Sequence, residues 1–497
     1  MMVRLFLFSI WVGLSGATAQ ASTGELRWAA DAKAGAPYMF VDPENPKQYR
    51  GFEYDILSEL AGRMGRKLVF VQNEWDSLIP GLERGDYDVA ANGIEITPER
   101  EREVAFSSPY YATFEQLIVR TGDRTIGALA DVGTKKIGTL RASLAHAILQ
   151  KQTRAQVVFY EEESSGYADV ERGRIDGFFI DYPIALYYAV PNPSLRIAGP
   201  PVGSMLYGIA VSFKNRVLLE EINTHLDVMK KDGAINRILA KWNLLHPHTT
   251  EALGLPDRLK NDPSEMEKVI GQKTRILTFR ERMTRYLDLL PLLLKGAWRS
   301  LEISVVAMAV AILFGLMLAV LRLYGNLAWS KIAQITIELI RGTPLLIQLY
   351  LIFFGLPHLG IQFSPFWAAV LGLGLNYGAY EAENYRAGIE AVPKSQIEAA
   401  HALALNPVQR FVHVVFPQAY RIILPPMTND FISLIKDSSL VSVITMVELT
   451  TVYSQLASTY FDHLGLGVLV AALYFIIGYP FVRLARRLEK NLKRKLA

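Results

Sequence analysis

The chain has 497 residues, 51% of them hydrophobic, with a formal net charge of +4 and no cysteine. That length holds two or three domains, and so small a charge gives no case for a nucleic-acid partner. The lack of cysteine excludes disulfides, thiolate zinc sites and cysteine nucleophiles. No other metal site is expected either.

The first 21 residues read as a secretory signal: Arg4, an apolar run from Leu5 to Leu14, then small residues at Ala17-Thr18-Ala19. A buried helix or an uncleaved anchor is the alternative. Residues 25–245 alternate short β-like runs with amphipathic helices. Strands are expected at Leu26–Ala30, Lys67–Val71, Asp88–Ala91 and Lys136–Thr139, and helices at Phe52–Met64 and Leu78–Glu83. Such alternation predicts parallel sheets covered by helices.

Residues 246–287 are charged and hold Pro247, Pro256 and Pro263, so they read as a linker. Its end, Phe279 to Leu290, reads either as a helix on the membrane surface or as a solvated helix. Residues 288–488 hold about five apolar segments of bilayer-spanning length: Ser300–Leu323, Ile335–Leu356, Phe366–Ala387, Leu424–Val447 and Leu464–Leu484. The second and fourth are expected to be broken, at Gly342 and Pro344 and at Pro425 and Pro426. Both carry charges that lipid does not tolerate, so they face protein or a wet cavity. Asn376, Glu381, Glu383, Asp430 and Lys436 are the candidate transmembrane pathway; holding the helices together is their other reading.

An odd number of spans fixes the orientation. With the first domain outside, five spans leave residues 489–497, a basic tail, in the cytoplasm. The Arg- and Lys-rich loops then also fall inside, as the positive-inside rule requires.

The inside loop 393–417 is the most informative stretch. Ser395 and Glu398 have capping-box spacing. Ala399, Ala400, Ala402 and Ala404 favour helix, and Asn406-Pro407 is expected to end it. The residues alone leave a plain connecting helix open. Glu398-Ala-Ala to Pro417 resembles the EAA loop of ABC importer permeases, with Ala404, Val414 and Phe416 for the usual Gly, Ile and Leu. Ala404 leaves open whether a positive φ is needed there. Arg341-Gly-Thr-Pro-Leu-Leu-Ile-Gln348, Ala379–Ile389, Phe416–Arg421 and Asn429–Leu440 extend the resemblance to permeases for polar amino acids. It implies that Glu398, Ala399, Ala400 and Ala404 form a helix that docks on a cytoplasmic ATP-binding-cassette ATPase. It also implies a second permease half, from the same chain or a homologue.

The first half resembles family 3 extracellular solute-binding proteins, on Gly51–Asp55, Trp75–Pro80, Thr97–Arg100, Phe106–Tyr110 and Gly173–Asp181. The expected fold is therefore an α/β two-lobed periplasmic-binding-protein-like domain, followed by an all-α transmembrane domain. The second lobe is expected at about 117–203, with crossovers near Ala112–Leu117 and Pro200–Leu206. In that family an arginine grips the ligand carboxylate with two parallel hydrogen bonds. Arg100 matches it, and Asp181 matches the carboxylate for the ammonium. Either residue alone also reads as a surface charge. The implied ligand-binding set adds Gly93. Glu95 stands where Ser or Thr is usual and would repel a ligand carboxylate unless it pairs with Arg100 or faces a cationic group. Ala142-Ser143 replaces Gly-Thr, leaving Ser143 as a hydrogen-bond donor. Tyr38 and Trp75 are stacking walls or core, and Asp31 is placed to reach a cationic side chain.

A ligand-gated channel would insert its pore within the binding domain and carry a filter loop, and none is present. An enzyme would need an acid or base in the cleft, where Glu95 is the one candidate. The chain has no Gly-x-x-x-x-Gly-Lys-Ser/Thr loop, so ATP is expected on the partner subunit and no cofactor on this chain.

Overall fold

The computed structural model describes residues 24–494, apart from 34–35, 142, 161–162, 257–259, 263, 275–276 and 461. The signal segment, Ala142 and the last three residues lie outside the described residues. The chain divides into two compact units. One holds the described residues up to Thr284 together with Ser454–His463, and the other holds Arg285–Tyr453 and Leu464 onward.

The first unit contains two five-stranded sheets. The first has the order β4-β1-β5-β12-β6, with β1 (Glu25–Ala30), β4 (Lys67–Gln72), β5 (Val89–Ala90), β6 (Ala105–Phe106) and β12 (Ala210–Val211). β1 runs parallel to both β4 and β5, as the alternating sequence predicts. The second has the order β11-β7-β10-β8-β9. Its strands are β7 (Tyr111–Arg120), β8 (Lys136–Leu140), β9 (Gln156–Tyr160), β10 (Gly177–Asp181) and β11 (Leu195–Tyr207). β2 (Phe40–Val41) and β3 (Tyr49–Arg50) form a small hairpin. The crossovers are β7 and β11, paired antiparallel and longer than their expected ranges. The first β11 register shift, between Ala198 and Val202, spans Pro200 and Pro201, which cannot donate to the ladder, and a second follows between Val202 and Met205.

Trp28, Phe52, Leu57, Tyr207 and Trp242 are fully buried around the first sheet. Burying an apolar side chain of this size contributes roughly 1.5–3 kcal/mol. The stretch 246–287 is not the open linker its charge suggests. Helices cover Pro247–Leu253 and Ser264–Thr274. Leu255, Met266 and Val269 join the same core, and Thr249 Oγ1 donates to Ala112 O at 2.7 Å. Met266, Val269 and Ile270 recur at helical spacing, and that spacing outweighs the charge count.

Phe279–Leu290, expected as a helix of its own, is not a separate element. It begins a single helix from Phe279 to Tyr324, with Pro291 inside. Among the described residues, two helices are long and apolar enough to cross a membrane, Phe279–Tyr324 and His463–Arg487. A third appears if Leu327–Gly342 and Leu345–Leu359, bent by 106°, are one span. Helices Pro365–Glu390 and Phe416–Asp437 overlap the other two expected places but lack an apolar stretch of spanning length. The second span is thus broken as expected. The fourth, Leu424–Val447, does not break at Pro425 and Pro426, which lie inside the helix Phe416–Asp437, but at Asp437, where a tighter helical turn over Ser438–Ile444 takes over. Close helix contact rests on glycine: a Cβ on Gly315 would lie 2.7 Å from Gly378 O.

Candidate functional site

The candidate binding residues of the first unit gather at strand ends of its two sheets. β10 ends at Asp181, directly opposite Glu115 on β7. Tyr207 closes β11 opposite Tyr111, and bridges to Glu95. Tyr38 comes from the first lobe. Its hydroxyl donates to Asp181 Oδ2 at 3.0 Å and lies 3.1 Å from the Tyr207 hydroxyl. The Tyr207 hydroxyl also donates to Asp181 Oδ2. Burial and the Asp181 charge push both phenols up, so they stay protonated donors.

Arg100 sits in a short helical turn, Arg100–Arg102, after Thr97-Pro98. It forms an ion pair with Glu95, donates to Glu95 O at 3.1 Å, and lies 5.0 Å from the Trp75 ring centroid. The Glu95 carboxylate therefore pairs with Arg100 instead of standing free against it. Burial pushes the Glu95 carboxyl up, opposed by the Arg100 guanidinium. Trp75 is a cation–π wall for Arg100, with its indole donating to Asn92 O at 2.9 Å.

The other expected residues are engaged inside the fold. Asp31 Oδ1 accepts from Lys33 N and Gln72 Nε2, both at 2.9 Å, and burial pushes its carboxyl up. Gly93 has φ 64°, and a Cβ there would lie 3.1 Å from the Tyr38 ring. Its N–H donates to Glu53 Oε1 at 2.8 Å. Ser143 is a helix cap. Its hydroxyl donates to Leu140 O and accepts from His146 N, so its hydrogen is already committed within the lobe. Tyr207 and Glu115 were not singled out by sequence. Their positions opposite Tyr111 and Asp181 follow only from strand register.

The second unit holds a cavity of about 510 Å³ lined by Arg341, Asn376, Tyr377, Tyr380, Asp430 and Asp437, among others. The bend at Gly342–Pro344 makes it. Pro344 breaks the helix, and the Gln348 amide donates to the freed Ile340 O at 2.7 Å and to Thr343 Oγ1 at 2.8 Å. Asn376 Nδ2 in turn donates to Gln348 Oε1 at 3.1 Å. Arg341 lies over the Tyr380 ring at 5.1 Å. Tyr377 donates to Asp437 at 2.7 Å, and Asn384 donates to Asp430 at 2.8 Å.

The expected pathway residues therefore split. Asn376 and Asp430 reach the cavity. Glu381 is buried where a Gly315 Cβ would meet it, and does not line the cavity. Glu383 pairs with Arg322 and Arg386. Lys436 is exposed. Sequence signalled Arg341 and Asp437 as charges within spans, but not Tyr380.

In the EAA loop the helix runs Lys394–Ala402, with Pro393 at its start and no side-chain cap. The expected Ser395–Glu398 box is absent, because the helix begins one residue before Ser395. Ala404 does take a positive φ, 55°, and the backbone closes through Leu405 N to Ala400 O at 3.2 Å. Asn406 does not stop this helix. It caps the next one, Pro407–Arg410, in a capping box with Gln409. Glu398 and Ala399 are exposed, whereas Ala400 is buried and turns inward.

Residues 26–245 match the bacterial extracellular solute-binding proteins, family 3, and residues 311–494 the binding-protein-dependent transport system inner membrane component. A probable amino-acid ABC transporter permease of Sinorhizobium fredii is 36% identical over 211 residues, 42% of this chain and 90% of its own. The ABC transporter arginine-binding protein 1 of Escherichia coli is 33% identical over 39% of this chain and 81% of its own. A solved ancestral arginine-binding protein bound to arginine is 33% identical, covering 44% of this chain and 98% of its own with a TM-score of 0.41.

Proposed function

The chain belongs to the amino-acid ABC transporter permeases and carries a family 3 solute-binding domain ahead of its permease domain, and from this we propose that it is the tethered-receptor permease subunit of an ATP-driven amino-acid importer. The observation that carries the reading is one cleft in which Asp181, Tyr38 and Tyr207 meet near the Glu95–Arg100 pair. Asp181 holds the ligand ammonium, and the Arg100 edge not used by Glu95 holds its carboxylate.

A ligand that bridges the two lobes favours the closed form, so binding drives closure. The tether keeps captured ligand at high effective concentration near the membrane. The polar cavity at Arg341, Asn376 and Asp430 presents one cation and carboxylates to a zwitterion on its way through. The binding domain faces outward and the EAA loop the cytoplasm. There, exposed Glu398 and Ala399, with Leu403 and Val408 beside them, meet the ATPase. Two permease halves complete the pathway, and ATP is bound by the partner subunit.

The test is reconstitution in lipid vesicles with the partner ATPase and labelled amino acids outside. ATP-dependent accumulation is expected. Accumulation of no amino acid, with ATP hydrolysis intact, rejects the reading.

A further inference from the structure

Glu115 has no part in the clamp described above. It lies on the crossover strand β7, wholly buried, directly opposite Asp181 in the β7–β10 ladder. Directly paired cross-strand residues share a face, with Cβ atoms about 5 Å apart. Asp181 receives both of its phenol bonds on Oδ2 alone. Neither Glu115 carboxyl oxygen meets a donor among the described residues. Glu95 adds a third buried carboxyl to the same space, against the one guanidinium of Arg100.

Buried anions need a cation or a proton, since the net cost of an unpaired buried charge is several kcal/mol. A neutral amino acid does not resolve this. Its ammonium answers one carboxyl, while its own carboxylate competes with Glu95 for Arg100. One acidic group is then left holding a proton, with no cation of the ligand to replace it. A ligand with a second positive charge answers it.

We propose that Glu115 is a ligand-binding residue that acts with Asp181 as a two-carboxylate receptor for cationic groups, so that the ligand is an amino acid with a positively charged side chain. The proposal rests on the amino-acid reading above. In the empty cleft, burial and the neighbouring Asp181 and Glu95 push the Glu115 carboxyl well above the usual range, so that it holds a proton. The arriving cation displaces that proton to solvent. The titratable and charged groups facing the pair are Glu95, with Arg100 behind it, and the phenols of Tyr38, Tyr207, Tyr111 and Tyr167, all of which sense the Asp181 charge. Tyr182 and His248 contact Phe114, which leaves β7 on the opposite face. Glu163, on the helix over β10, lies beside Tyr167.

The experiment is equilibrium binding of L-lysine, L-arginine and L-glutamine to the full chain in lipid nanodiscs, for the parent, Glu115→Gln and Glu115→Asp. The parent is expected to bind lysine or arginine at least about tenfold tighter than glutamine. Glu115→Gln is expected to lose about tenfold or more for the cationic ligand and little for glutamine, whereas Glu115→Asp keeps the preference. Calorimetry in buffers of different ionisation enthalpy should show proton release on binding of the cationic ligand by the parent and none by Glu115→Gln. A purely structural Glu115 would not alter that release. Equal affinity of the parent for glutamine and the cationic ligands, or an equal loss for all three ligands in Glu115→Gln, overturns the proposal and leaves the amino-acid reading standing. A folded parent that binds no amino acid overturns both.

Discussion

The Tyr38 hydroxyl donates to Asp181 Oδ2 at 3.0 Å, joining a residue of the first lobe to one at the end of β10 in the second. The expected stacking wall is thus a donor to the expected anchor. Asp181 stays held in place by Tyr207 when the Tyr38 phenol is lost.

Removing one partner of a desolvated, hydrogen-bonded charge pair costs about 2–5 kcal/mol. Arg100→Ala and Asp181→Ala should therefore each weaken ligand binding by about 30-fold or more. Tyr38→Phe should lose less, about tenfold at most, because Tyr207 remains. Calorimetry on the full chain checks this. A loss near 1 kcal/mol for Arg100→Ala, the worth of a surface ion pair, would count against the clamp.

The Glu53 carboxyl is pushed up to about 7 by burial, against bonds from Tyr110 and Gly93 N. A folded value above the unfolded one means the folded state binds more protons between them. Stability contributed by the protonated form is complete below about pH 4.5 and is lost as pH rises to about 7, up to about 3 kcal/mol in all. Glu53→Gln should flatten thermal stability of the outer domain across that window. A parent whose unfolding temperature falls no more steeply from pH 5 to 7 than the variant's would refute it.

Ala404 is the one residue of the EAA loop with a left-handed backbone. That conformation costs an ordinary side chain about 1–2 kcal/mol and a β-branched one more. Ala404→Gly should keep ligand-stimulated ATP hydrolysis, and Ala404→Ile should reduce it sharply. Glu398→Lys, on the exposed face, should abolish stimulation while outer-domain binding stays unchanged. Stimulation intact in Glu398→Lys would remove this face from the ATPase contact.

The cavity separates pathway from scaffold. Asp430→Asn should slow transport at normal expression and unchanged outer-domain affinity. Glu383→Gln should lower the yield of folded protein instead, because it breaks pairs to Arg322 and Arg386. Uptake assays with quantified membrane protein distinguish the two. Normal transport by Asp430→Asn would take this carboxylate out of the pathway.

The sequence by itself determined the order of parts. Period-two and period-3.6 patterns are local, so strands β1, β4 and β8 and the helix at Phe52 are legible without contacts. Apolar runs mark membrane segments for the same reason. The motif around Glu398 marks the loop, and Arg100 and Asp181 mark the cleft. Tertiary structure alone decided which polar groups meet. Glu115 faces Asp181 because of the β7–β10 register, and register is set by packing and not by either strand's own residues. Glu95 became a partner of Arg100 because a buried carboxylate must find a cation or a proton. Helix 264–274 left the expected linker because an apolar stripe of three residues found a core to cover, and no count of charges reports whether such a core is near.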